Sequence, residues 1–132
     1  MKRLELKPTE ENIVKTIEKD IFNRNNELRC FYNLLISQED GCTIAIDGKW
    51  GSGKTFFIKQ EIMLINAMNP MNQDERQNLD IIKNKIMKKE EQKYDEIRMN
   101  MKPVYYDAWQ NDNDIDPIVS LIFLFLFFHN FI

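Results

Sequence analysis

The sequence predicts an α/β fold: an incomplete parallel sheet flanked by helices, with a long charged helical insertion between its two strands. Three observations carry that expectation. A β-prone run, Thr43-Ile44-Ala45-Ile46-Asp47, feeds straight into Gly48-Lys49-Trp50-Gly51-Ser52-Gly53-Lys54-Thr55, which satisfies the phosphate-loop pattern G-x-x-x-x-G-K-[ST] in full. An apolar run with helical character, residues 56–65, follows at once. After a charged stretch, a second β-prone run returns at residues 104–108. Strand, glycine-rich loop and helix in that order are what a P-loop NTPase-type sheet requires, and two parallel strands joined through helices imply a right-handed crossover.

The chain has 132 residues, enough for one small domain or a piece of a larger one. Hydrophobic residues make up 43% and charged residues 30%, which suits a packed core and argues against global disorder. A net charge of −3 gives no electrostatic footprint for nucleic acid. Cys30 and Cys42 have no metal or disulfide spacing, and no secretory signal precedes them, so two reduced, buried thiols in a cytoplasmic protein are expected.

Residues 1–41 read as a helical lead-in. Thr9 is placed to cap a helix running to Lys19, with Ile13, Val14 and Ile17 on one side. Residues 20–25 interrupt it, and Asn25 can cap a second helix carrying Leu28, Phe31, Leu34 and Leu35. Asp20 and Arg24 read either as a solvated pair at a helix boundary or as part of a segment lying against a nucleotide base. A turn at residues 38–41 delivers the chain to the first strand.

Residues 42–68 form the strand, loop and helix unit. Only four glycines occur in the chain, and Gly48, Gly51 and Gly53 fall in this loop, so general glycine richness does not account for the pattern. Glycines let backbone N–H groups turn inward as an anion-binding nest, and the following helix adds the positive end of its dipole. Lys54 is then expected to stabilise charge on the β/γ-phosphates, and the Thr55 hydroxyl to sit on Mg²⁺. Trp50 is expected to fill core space beside the loop.

Asn69-Pro70-Met71-Asn72 breaks the helix, and residues 72–101 form the charged insertion. Its acids and bases interleave, so it is not a polycationic arm. Leu79, Ile82, Ile86, Tyr94, Ile97 and Met101 give a stripe broken near Lys89-Glu90, which fits a mostly exposed helix packed by one narrow edge. The last part, residues 102–132, holds the second strand, an acidic turn and an apolar helix. The turn lacks the glycine and terminal glutamate of a calcium loop. Residues 121–128 are apolar on every face yet too short to span a bilayer, so the chain alone is expected to self-associate there or to meet a protein partner or membrane. His129, the single histidine, has no evident partner for catalysis.

The loop from Ile44 to Thr55, with its Trp-Gly-Ser-Gly-Lys-Thr ending, resembles the P-loop of the KAP family of NTPases. Tyr105-Tyr106-Asp107-Ala108-Trp109-Gln110-Asn111-Asp112 is similar to that family's strand ending in Ala-Trp followed by acids. Residues 20–24 resemble the short Asp/Arg element before the first strand there. The resemblance spans roughly residues 18–122 and implies ATP and Mg²⁺ as ligands and ATP hydrolysis in an intact relative. Family members continue into a Walker B strand with adjacent acids. That pattern is not found here, which makes the chain look truncated, and Asp107 is the one strand-end acid that could stand in on Mg²⁺. The expected function is therefore Mg-ATP binding. The alternative is a catalytically incompetent or truncated nucleotide-binding module that depends on a partner or membrane.

Overall fold

The structure, a computed structural model, describes residues 6–38, 40, 43–47, 53–89 and 101–107. Among them are four helices, α1 (Glu10–Glu18), α2 (Asn25–Ser37), α3 (Lys54–Met68) and α4 (Arg76–Ile86), and no strand. This overturns the expected α/β class, with its parallel strands at 43–47 and 104–108 and the crossover between them. The reason lies in pairing. A β-prone run becomes a strand only when neighbours take up its N–H and C=O groups and cover its apolar side chains. Here Thr43, Ile44, Ala45 and Asp47 are exposed, and the described part of the second run, 104–107, likewise has no ladder. The apolar faces that a sheet would have covered bury against one another, helix on helix.

The chain divides into two compact units, Met1–Lys102 and Pro103–Ile132. All four helices belong to the first, and residues 103–107 of the second take neither helix nor strand. α1 starts as its sequence dictates. The Thr9 side chain accepts a hydrogen bond from the Asn12 N–H at 3.3 Å, Glu10 and Glu11 sit in the first turn, and Ile13, Val14 and Ile17 are buried.

α2 departs from expectation in two ways. Asn25 is its first helical residue rather than its cap, and its buried pair is Leu28 and Tyr32, whereas Leu34 is 47% exposed. Cys30 on this helix is also exposed, which corrects the expectation of a buried thiol.

α3 is the hub. It packs against α4, α2 and α1, and α4 also touches α1 and α2. Phe56, Leu64, Ala67 and Met68 of α3 join Ile17, Leu28, Tyr32, Ile82 and Ile86 in one core. α3's far end is tied down by Arg76. Its guanidinium donates to the carbonyls of Ala67 at 2.6 Å, Asn69 at 3.1 Å and Asn72 at 3.2 Å, and pairs with Asp80 at 2.8 Å. The Ala67 carbonyl is of the kind a helix end leaves without an intrahelical partner, and the other two belong to the turn that follows.

On α4, Leu79, Ile82 and Ile86 are buried. The helix ends at Ile86, and Met87, at φ −91° and ψ 139°, is extended and buried. The later stripe residues Tyr94 and Ile97, the apolar run 121–128 and His129 lie outside the described residues, as does Cys42. No described helix is long and apolar enough to cross a membrane.

Candidate functional site

The turn between α1 and α2 is built residue by residue. The Asp20 N–H bonds the Ile17 carbonyl at 3.2 Å and the Ile21 N–H bonds the Thr16 carbonyl at 3.0 Å. Together they form the paired closure of a Schellman motif, with Asp20 in the left-handed position at φ 48°. Aspartate tolerates that conformation better than most residues. Its carboxylate then accepts from the Asn25 N–H at 3.2 Å, while the Asn25 side-chain amide donates back to the Ile17 carbonyl at 2.8 Å. One helix ends and the next begins on the same two side chains, which fixes where residues 21–24 point.

They point at the start of α3. Phe22 meets Phe56 edge-on, with centroids 5.3 Å apart and planes at 83°. The Arg24 guanidinium lies over the Phe22 ring, 5.9 Å from its centroid. The same guanidinium approaches Gly53, the residue that opens α3. A Cβ added to Gly53 would lie 3.4 Å from Arg24 Nη1. Gly53 itself has φ 85°, a conformation that L side chains rarely adopt, so the motif's last glycine is required by backbone geometry, while the Arg24 approach is ordinary contact.

Lys54 and Thr55 are the first two helical residues of α3. Lys54 is half-buried and Thr55 exposed, and the first turn contains no acidic residue. A helix start leaves backbone N–H groups without intrahelical acceptors and carries partial positive charge. With Gly53 lacking a side chain, and Lys54 and Arg24 adding full charges, this donor set fits a phosphate group. Gly48, Lys49, Trp50, Gly51 and Ser52 lie outside the described residues, as do Ala108 and Trp109. Asp107 falls in the second unit and is half-buried. Near it the Tyr105 phenol is pushed up, first by burial and then by the Asp107 carboxylate.

Deeper on α3 lies a polar group that sequence reasoning missed. Gln60 and Glu61 are 2% and 3% exposed. The Gln60 amide donates to the Thr16 hydroxyl at 3.1 Å, and that hydroxyl donates to the Ile13 carbonyl at 2.8 Å. Both Glu61 carboxyl oxygens lack a hydrogen-bond partner among the described residues. Burial pushes the Glu61 carboxyl up to about 8, and burial with nearby Glu61 pushes the Tyr32 phenol up to about 12. For Gln60 the signal was present in the spacing, since Phe56, Gln60, Leu64 and Ala67 share one helical face.

A family model described as the KAP family P-loop domain matches residues 11–123 of this chain. That span takes in the α1–α2 turn, the loop motif and the helix it opens. Comparison with curated proteins and with solved structures returns no match.

Proposed function

We propose that this chain, which belongs to the KAP family of P-loop domains, binds Mg-ATP through residues 48–55. The family supports nucleotide binding in general, and the complete G-x-x-x-x-G-K-T motif supports the assignment to these residues. The single observation that carries the reading is the start of α3, where a left-handed Gly53 opens the helix and Lys54 and Thr55 follow in its first turn.

In this reading Gly48, Gly51 and Gly53 let backbone N–H groups approach the phosphates without a Cβ in the way. Lys49, Trp50 and Ser52 contribute their N–H groups to the same nest. Lys54 holds charge on the β/γ-phosphates, and the Thr55 hydroxyl is the ligand offered to the metal. Mg²⁺ would neutralise phosphate charge when bound with the nucleotide. The proposal is for binding. Turnover demands a further group that positions the attacking water, and Asp107 is the first residue to test for a part in it. A cytoplasmic location, and a protein or membrane partner for the apolar segment after residue 117, belong to the same proposal.

Lys54→Ala removes a charge-assisted phosphate contact worth about 1.5–3 kcal/mol, so ATP affinity should fall about tenfold to hundredfold in titration calorimetry. Equal affinity in variant and parent would overturn the reading.

A further inference from the structure

We infer that Glu61 is a proton-operated latch between α2 and α3: neutral, it lets α2 close on α3, and ionised, it releases α2 while the other helices stay packed. The inference is independent of the nucleotide reading.

The seam between the two helices places the group. Phe57, Glu61, Leu64 and Met68 follow one another along α3 at helical spacing. Phe57 meets Phe31 of α2 edge-on, with centroids 5.8 Å apart and planes at 75°. One turn further along α3, Glu61 is close enough to Tyr32 of α2 for its charge to act on that phenol. Both residues are buried, so the carboxyl is enclosed where the helices meet.

Nothing described in that seam compensates a charge on Glu61. Both of its carboxyl oxygens lack a hydrogen-bond partner among the described residues. From α2 comes Tyr32, itself an acid, while the half-buried Arg29 donates to the Asn26 side chain instead. The buried faces of α1 and α4 contain no titratable group. Lys83, the half-buried cation of α4, forms no ion pair with Glu61 among the described residues. Lys59 on α3 is two positions away, a spacing that does not bring side chains face to face. Burial therefore favours the neutral carboxyl and pushes it up to about 8. An ionised Glu61 needs water, and water reaches it when the helices part.

α2 is the element that gives way. The far end of α3 is tied by Arg76 to Ala67 and Asp80, and Gln60 ties the middle of α3 to Thr16 of α1. The α2–α3 seam carries apolar and ring contacts and, among the described residues, no hydrogen bond. The Asn25 bond to the Ile17 carbonyl holds the first turn of α2 to α1, leaving the rest of that helix to part.

The test is amide hydrogen exchange, corrected for the intrinsic pH dependence of the rate, on the 132-residue parent, Glu61→Gln and Glu61→Leu between pH 5 and pH 8. In the parent, α2 should be less protected than α4. Its protection should fall by up to about tenfold per pH unit, because the closed seam holds a proton that the open one releases between pH 4.5 and about 8. Glu61→Gln should abolish that slope and keep α2 protected at pH 8. If Glu61→Gln does not fold, Glu61→Leu decides, since an apolar side chain should close the seam at every pH.

Equal protection of α2 and α4 would show that α2 opens only with the whole chain, and this overturns the inference. So does a flat α2 profile in the parent, or a slope that survives in the variant that folds.

Discussion

Helices α1 and α3 are joined in the core by the hydrogen bond from Gln60 to Thr16, yet they treat their own polar groups in opposite ways. α1 is self-sufficient. Thr9 caps it, Glu10 and Glu11 answer its dipole, and its buried hydroxyl, Thr16, both donates and accepts. α3 begins on a glycine with no side chain, places lysine where acids are favourable, and buries a carboxyl that has no hydrogen-bond partner among the described residues. The first pattern is what stability alone selects. The second runs against local preference at its start and in its interior, and such departures mark the places where a chain serves something other than its own fold.

The largest effect expected from breaking this contrast is at Glu61. Its folded-state value near 8 stands above its ordinary 4.5, so the folded chain holds a proton that the unfolded chain has released across that interval. The associated stability is fully present below pH 4.5 and is lost as pH rises through 8, at up to about 1.4 kcal/mol per pH unit. Glu61→Gln should flatten the profile and leave the variant more stable than the parent at pH 8, as measured by urea unfolding at several pH values. A parallel slope in both proteins would mean that Glu61 titrates normally.

A smaller effect is expected at the helix start. Gly53→Ala forces a side chain into the left-handed region at a cost of roughly 1–2 kcal/mol. The backbone dominates that cost, since 3.4 Å from Arg24 is ordinary contact. Thermal unfolding should register it, and unchanged stability would show that α3 can open on another backbone.

The smallest is Thr9→Ala, which removes the α1 cap and should cost about 1 kcal/mol while leaving ATP affinity untouched. If it weakened ATP binding as much as Lys54→Ala, the division between a structural and a functional helix start would fail.

Legibility in the sequence followed how local each feature is. The cap at Thr9, the apolar face of Ile13, Val14 and Ile17, and the helix after the loop depend on neighbours three or four residues away. The sheet did not survive, because residues 43–47 and 104–107 had the composition of strands and pairing is not written in composition. The Gly53, Lys54 and Thr55 part of the candidate site was visible as a motif. Arg24 was visible as a residue, but its approach to Gly53 depends on a helix-ending closure at Asp20 and a ring contact across 34 positions, from Phe22 to Phe56. Glu61 was hidden for a different reason, since a carboxylate in a helical stretch ordinarily faces water.

The fork of Arg76 has a consequence for how the hub helix responds to ionic strength. Its three carbonyl partners are uncharged, so dissolved ions have little to compete with, whereas its contact to Asp80 is the kind of surface ion pair that screening weakens. Added salt therefore acts unevenly on Arg76 itself: its bond to Asp80 loosens while its three carbonyl contacts keep the end of α3 latched to α4.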